Sequence, residues 1–268
     1  MNEILYAFLL TTIAGLATGL GGLISLFVKR TNTKFLAIAL GFSAGVMLYI
    51  SMIEIFGEAH EALTEYLGYR QGSFATVAAF FGGIALIALI DKLVPTAHNP
   101  HEFNQQQTSS TPKPNLNTGK LKRMGILTAI AVAIHNFPEG IVMFFTALHQ
   151  PTLAIPLVIA ISIHNIPEGI AIATPIYYAT GSRKKAVVLS FLAGLAEPLG
   201  AILAFLILMP FLNDVVLGII FAAVAGIMVF ISLDELLPAA REYGEHHLSI
   251  YGLIAGMAVM AISLLLLI

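Results

Sequence analysis

Eight long apolar segments dominate this sequence of 268 residues and restrict it to one kind of fold. A bilayer core of roughly 30 Å requires about 20 apolar residues of helix, and each segment meets that length. The segments cover residues 4–28, 35–56, 73–94, 123–148, 152–177, 186–210, 215–238 and 249–268. The sequence therefore predicts an all-α membrane protein with eight transmembrane helices, forming a single transmembrane domain over residues 1–268. The connection 95–122 is predicted to be a flexible loop, because it is rich in Asn, Gln, Ser, Thr and Pro.

The composition agrees with a membrane protein and limits the chemistry that the chain can carry. Hydrophobic residues make up 58% of the chain and charged residues only 10%, which is more apolar than a soluble domain requires. The net charge of −2 gives no reason to expect a nucleic-acid partner. The sequence has no cysteine, so a bound metal ion must use His, carboxylate, amide or Met ligands. The first apolar run lacks a basic segment before it and predicts a retained helix rather than a signal peptide.

The basic residues predict how the eight spans are oriented. Twelve of the thirteen Lys and Arg residues fall on odd-numbered connections or at their edges, and only Arg70 falls on an even-numbered one. Because positively charged connections stay in the cytoplasm, the odd-numbered connections are predicted to be cytoplasmic. Both termini then face outward, which is the periplasmic side of a multi-pass protein in the cell (inner) membrane.

Spans four and five carry the same hexapeptide, His-Asn-x-Pro-Glu-Gly, near the middle of each span. The side chains that could bind a metal ion are His135, Asn136 and Glu139 in the first copy and His164, Asn165 and Glu168 in the second. Residues three and four apart share one face of a helix, so each copy presents an imidazole, an amide and a carboxylate along one stripe. A single buried His or Glu is often a packing residue, but two matching copies on antiparallel neighbours favour a divalent-metal site.

The prolines of the two hexapeptides are predicted to open the helices locally. Pro138 and Pro167 each remove a backbone donor and crowd the carbonyl four residues earlier. Transporters form ion sites at the membrane midplane from unwound backbone of this kind.

Further carboxylates lie inside the predicted spans, where no Lys or Arg is available to pair with them. A charge at the centre of the bilayer costs at least about 2.5–3.5 kcal/mol, so these groups need a partner such as a cation. Glu197 precedes a proline in span six and is expected to be a further ligand. Glu54 lies near the outer end of span two, and Asp234 and Glu235 lie near the inner end of span seven. They are predicted to line the entry and the exit, unless they are simply carboxylates at helix ends.

The paired hexapeptides, the Leu-Ala-Glu-Pro-Leu-Gly sequence at Glu197 and the layout of eight spans resemble the ZIP (Zrt/Irt-like protein) family of metal transporters. The closest resemblance is to bacterial members, and it covers essentially the whole chain. It implies a 3+2+3 bundle, in which the first and last three spans form an inverted repeat around a central pair. It also implies two metal positions: one with His135, Glu139, His164, Asn165 and Glu168, the other with Asn136, Glu139, Asn165, Glu168 and Glu197.

The function predicted from these features is uptake of a divalent metal ion, with zinc first and iron(II), manganese, cobalt and cadmium as further candidates. The metal is then a transported substrate, and no cofactor is expected. The expected partners are metal ions and the lipid bilayer, with a homodimer as an option. The alternative function is an intramembrane metalloenzyme, either a hydrolase or a di-iron oxidase. However, the sequence lacks His-Glu-x-x-His, and its His-x-x-x-Glu order differs from the Glu-x-x-His of di-iron bundles.

Overall fold

Helices account for nearly all of the regular structure of the protein. The computed structural model describes residues 3–27, 33–93, 118–211, 213–242 and 246–265. Within these ranges, eight helical spans are long and apolar enough to cross a membrane, which confirms the predicted fold class. The spans are α1 (Glu3–Ile24), α2 (Thr33–Tyr49, Ile50–Ile55 and Phe56–Leu67), α3 (Tyr69–Leu93), α4 (Thr118–His149), α5 (Pro151–Thr180), α6 (Arg183–Gly194, Ala196–Leu203, Ala204–Leu208 and Met209–Phe211), α7 (Asp214–Ile231, Ser232–Leu236 and Leu237–Glu242) and α8 (His246–Leu265).

Local sequence explains how the short connections are made. Gly181 ends α5 in the left-handed region, with φ of 65°, which a glycine adopts without steric cost. Ser182 then begins α6 by accepting a hydrogen bond from the backbone N–H of Lys185. Asn213 caps α7 in the same way through the N–H of Val216. These caps allow consecutive spans to reverse direction within one or two residues.

Two spans extend further than the apolar pattern indicates. The helix of α2 continues to Leu67, eleven residues beyond the predicted end at 56, because Phe56–Leu67 forms a helix that is apolar on one face only. Similarly, α4 begins at Thr118, so residues 118–122 of the predicted flexible connection are helical. The remainder of that connection, 95–117, lies outside the described residues and includes His98 and His101.

The prediction that the motif prolines unwind their helices is wrong. Both α4 and α5 run without interruption through Pro138 and Pro167. The φ of proline is compatible with an α-helix, and a proline removes a single backbone hydrogen bond from the helix. The hydrogen bonds of the neighbouring turns therefore keep the helix continuous. Only the helix of α6 is interrupted beside a candidate ligand, at Leu195, two residues before Glu197.

The packing of the spans has the inverted repeat that the family resemblance implies. α1, α4, α5 and α6 form one packed group, while α2 pairs with α8 and α3 pairs with α7. The repeat relates α1 to α6, α2 to α7, α3 to α8 and α4 to α5. Under this exchange, each main contact between two spans corresponds to another contact between two spans. The α1–α5 contact becomes α6–α4, and the α2–α8 contact becomes α7–α3. The central pair, α4 and α5, therefore lies at the centre of the repeat.

The sequences of α2 and α7 also repeat. Residues 44–55 read AGVMLYISMIEI and residues 225–236 read AGIMVFISLDEL. Both segments widen into a π-helical turn, Ile50–Ile55 in α2 and Ser232–Leu236 in α7. In both, the serine hydroxyl donates to the carbonyl of the methionine four residues earlier, at 2.6 and 2.7 Å. Glu54 and Glu235 therefore occupy equivalent backbone positions, each on a widened turn of the kind often found at functional sites.

Candidate metal centre

The two hexapeptides meet in one cluster of buried polar side chains. Asn136 and Glu139 come from α4, His164, Asn165 and Glu168 come from α5, and Glu197 comes from α6. All six side chains are at most 2% exposed. At this depth, bulk water does not reach them, so they must satisfy one another or bind an ion or a buried water molecule.

An imidazole–carboxylate contact joins the two hexapeptide copies. His164 Nε2 of the second copy lies 3.2 Å from Glu139 Oε1 of the first, and 3.4 Å from Oε2. Both groups are ligands that zinc and related dications prefer. Sequence reasoning placed these two stripes opposite each other, and the structure brings this pair into contact.

An amide–carboxylate contact joins α5 to α6. Asn165 Nδ2 donates a hydrogen bond to Glu197 Oε1, and the same amide nitrogen donates to the carbonyl of Ala14 in α1, at 3.0 Å. The amide of Asn136 is oriented in the same manner, with Nδ2 directed to Thr18 Oγ1 at 3.4 Å. The Ala14 and Thr18 acceptors are one helical turn apart on α1. α1 therefore supplies hydrogen-bond acceptors for the Nδ2 atoms of both asparagines.

The oxygen side of the cluster faces inward without protein donors. Among the described residues, none donates a hydrogen bond to Asn136 Oδ1, Asn165 Oδ1 or Glu197 Oε2. Buried acceptors of this kind are rare and costly unless a water molecule or a cation satisfies them. The described part of the chain also has no group of three His, Asp or Glu side chains spaced for one metal ion.

Two glycines bring the ligand-bearing helices into backbone contact. A Cβ on Gly140 would overlap the backbone carbonyl of Glu197, and a Cβ on Gly169 would overlap that of Thr18. These glycines follow Glu139 and Glu168 directly in the two hexapeptides. The final glycine of each motif therefore sets the distance of α4 from α6 and of α5 from α1.

Some predicted site residues lie apart from the cluster or outside the described side chains. The backbone of His135 belongs to α4 and that of Glu235 to α7, but their side chains are not among those described. Glu54 is half-buried and lines a small cavity of about 30 Å³ together with Thr146 and Gln150. Asp234 is half-buried on the π-helical turn of α7.

The structure also shows two site residues that sequence reasoning missed, Ser43 and Thr18. The hydroxyl of Ser43 in α2 lies 3.3 Å from both Glu168 Oε1 and the carbonyl of His164. Thr18 in α1 is fully buried and accepts from Asn136. A Ser or Thr in an apolar helix usually bonds to its own backbone, so neither gives a signal in sequence. Only the packing of α1 and α2 against α5 and α4 identifies them.

The fold and the site define an integral membrane protein of eight helices with a buried imidazole, amide and carboxylate cluster suited to a dication. A family model described as ZIP Zinc transporter matches residues 2–122 and 96–264. The chain is 62% identical over 267 residues to zinc transporter ZupT of Oceanobacillus iheyensis, covering 100% of both chains. It is 61% identical over 260 residues to ZupT of Streptococcus mutans, covering 97% of each. It is also 58% identical over 265 residues to ZupT of Chlorobium chlorochromatii, covering 99% of this chain and 98% of the other.

The chain therefore belongs to the ZIP zinc transporter family. The prediction of a divalent-metal transporter is confirmed, and the alternative of an intramembrane metalloenzyme is not supported. In this family, the metal ion is the transported substrate rather than a cofactor.

Proposed function

We propose that the protein takes up zinc into the cytoplasm through the buried cluster of α4, α5 and α6. The observation that carries the proposal is the 3.2 Å contact between His164 and Glu139, which unites the two hexapeptides in one polar centre. The names of the relatives support zinc as the main substrate. Iron(II), cobalt, manganese and cadmium have ligand preferences that also fit imidazole, amide and carboxylate. A homodimer stays a prediction.

Two metal positions account for the number of ligands in the cluster. The first uses His135, Glu139, His164, Asn165 and Glu168, and the second uses Asn136, Glu139, Asn165, Glu168 and Glu197. Glu139 and Glu168 are shared by both positions. The described His, Asp and Glu side chains are not spaced as a group of three around one ion, so in this proposal binding draws them closer together. The buried oxygens of Asn136, Asn165 and Glu197 support the second position, because no described residue donates a hydrogen bond to them.

The path of the ion runs from the outer end of α2 to the inner end of α7. A hydrated ion enters past Glu54, which lines the small cavity near Gln150. It exchanges its water for protein ligands in the cluster and leaves past Asp234 and Glu235. The equivalent placement of Glu54 and Glu235 on two widened helical turns supports a carboxylate at each end of the path.

Flux into proteoliposomes tests the proposed function and its pH dependence. The purified protein is expected to transport zinc, with a smaller flux for manganese, iron(II), cobalt or cadmium. Lowering the pH is expected to reduce the flux, because protons compete with the metal for the imidazole and the carboxylates. A protein that forms a chemical product without net ion movement would contradict the proposal.

Thr18 provides a test of the asparagine ligands. Thr18→Val removes the acceptor for Asn136 Nδ2 without changing side-chain size, so the amide is no longer held with its oxygen inward. The KM for zinc is expected to rise about tenfold, as when other groups that orient a metal ligand are removed. Thr18→Ser keeps the hydroxyl and should have nearly the original KM. Equal KM values for the Val and Ser variants would show that the hydroxyl does not position Asn136.

The orientation of the protein can be measured by cysteine labelling, because the chain has no cysteine of its own. Lys184 and Glu65 are both exposed and lie at opposite ends of the bundle. In intact cells or spheroplasts, a membrane-impermeant maleimide is expected to label Glu65→Cys and not Lys184→Cys. Labelling of Lys184→Cys from outside would reverse the predicted orientation and with it the direction of the proposed path.

A further inference from the structure

A large apolar crevice lies between α3, α4 and α7, on the opposite side of α4 from the polar cluster. Its volume is about 670 Å³, and its lining is made of aliphatic side chains together with Phe137 and Pro138. The crevice exists because α7 packs much more closely against α3 than against α4. The equivalent junction in the other half of the repeat is bridged by the contact of Ser43 with Glu168, so the two halves differ here.

The crevice opens toward the lipid. Leu86, Ile90 and Ile130 at its mouth are 52%, 37% and 50% exposed, whereas Ile87 and Val224 on its floor are at most 5% exposed. An apolar cavity of this kind does not hold water. Its size is comparable to that of a lipid acyl chain, and the surrounding medium supplies such chains.

One lysine lies near the end of the crevice at which a lipid headgroup would lie. Lys122 near the beginning of α4 is exposed, at the end of the bundle that carries the 94–117 connection. Lys92 near the end of α3 is also exposed, but it is two residues from Ile90 and therefore on the opposite face of α3 from the crevice. From Lys122, one stripe of α4 leads through Ile126 and Ile130 to Ile134, each four residues further along the helix. Basic side chains between spans at this side of a membrane attract anionic headgroups.

We propose that this crevice binds an anionic phospholipid, with its phosphate at Lys122 and one acyl chain against Ile130, Phe137 and Pro138. The bound chain packs on the outer face of the first hexapeptide, directly behind Asn136 and Glu139. The lipid thereby fills the gap between the ligand-bearing helix and α7. This site is independent of which metal ion the protein carries.

The absence of tryptophan from the sequence makes a fluorescence test specific. Phe137→Trp places a single reporter in the crevice, and Ile130→Trp places one at the mouth as a second choice should the first variant not fold. Phe81→Trp reports on the open lipid-facing surface, since Phe81 is 60% exposed, and Phe145→Trp reports on the fully buried interior. The variants are reconstituted in phosphatidylcholine that contains a small fraction of phosphatidylglycerol with brominated acyl chains, which quench tryptophan on contact.

Trp at 137 or 130 is expected to be quenched more than Trp at 81, with an apparent enrichment of phosphatidylglycerol of roughly fivefold, as one lysine near an anionic lipid predicts. Lys122→Gln should reduce the quenching to the level of the Phe81→Trp variant, whereas Lys92→Gln, on the opposite face of α3 from the crevice, should leave it unchanged. The proposal would be overturned if Trp at 137 and Trp at 130 were quenched as weakly as Trp at 145. Such weak quenching would mean that protein, such as a second copy of the chain, fills the crevice in place of lipid. Quenching equal to that at 81 and insensitive to Lys122→Gln would also overturn it, because only bulk lipid would then be present.

Discussion

Glu139→Ala and Glu168→Ala are each expected to abolish zinc flux in proteoliposomes while the protein remains folded. In the proposed centre, these two carboxylates are shared by both metal positions, and Glu139 also contacts His164 at 3.2 Å. Losing a group that merely supports a metal ligand costs about 10–100-fold in affinity or activity, so losing a shared ligand should cost at least roughly 100-fold. Glu139→Ala also leaves the buried His164 without its carboxylate partner, so a lower unfolding free energy is expected for this variant and its fold is measured separately.

A matched control for this experiment is Glu61→Ala. Glu61 is an exposed glutamate on the same protein, outside the polar cluster, and its removal should leave the flux nearly unchanged. Circular dichroism and size-exclusion chromatography in detergent verify the fold of all three variants. Normal flux in the Glu139 or Glu168 variant would contradict the proposed centre.

Gly140→Ala is expected to reduce both stability and transport, although it adds only one methyl group. The new Cβ would overlap the backbone carbonyl of Glu197, so α4 and α6 must separate. Overpacking of this kind typically costs about 1–3 kcal/mol of unfolding free energy. The displaced helix would also carry Glu197 away from Asn165, and a loss of flux of roughly tenfold or more is expected.

Two neighbouring glycines of α3 separate the structural effect from the functional one. Gly82 faces open space, so Gly82→Ala should be neutral or slightly stabilising, because alanine favours a helix by up to about 1 kcal/mol over glycine. Gly83 packs on the backbone of Ala223 in α7, away from the cluster, so Gly83→Ala should lower thermal stability with less effect on the KM for zinc. If Gly140→Ala behaves like Gly82→Ala in both measurements, the close approach of α4 and α6 is not required.

Several features of the protein follow from sequence because they depend on local properties. The number of spans follows from the length of each apolar segment, since backbone groups in a bilayer must be paired within a helix. The stripes of His, Asn and Glu follow from helical periodicity alone, and the short connection at Gln150 makes α4 and α5 antiparallel neighbours. These properties were sufficient to predict that the two hexapeptides face each other, but not that His164 pairs with Glu139.

Tertiary structure decided the features that depend on which helices pack together and how closely. The prolines of the hexapeptides were predicted to unwind α4 and α5, but the hydrogen-bonded turns on either side of each proline keep both helices continuous. The orientation of Asn136 and Asn165 comes from Thr18 and Ala14, more than 110 residues earlier in the chain. The repeat of α2 and α7 was present in the sequence, but it became informative once both segments were seen as widened turns.

The sequence by itself determined that this chain is an eight-span membrane protein with two copies of a metal-binding stripe, because hydrophobic length and helical spacing are local. Only the tertiary structure decided which atoms of the stripes face inward, how α1 holds them, and where the bundle leaves an apolar crevice beside Pro138. The physical reason is that side-chain orientation and helix separation depend on contacts between segments far apart in the chain, which no local pattern encodes.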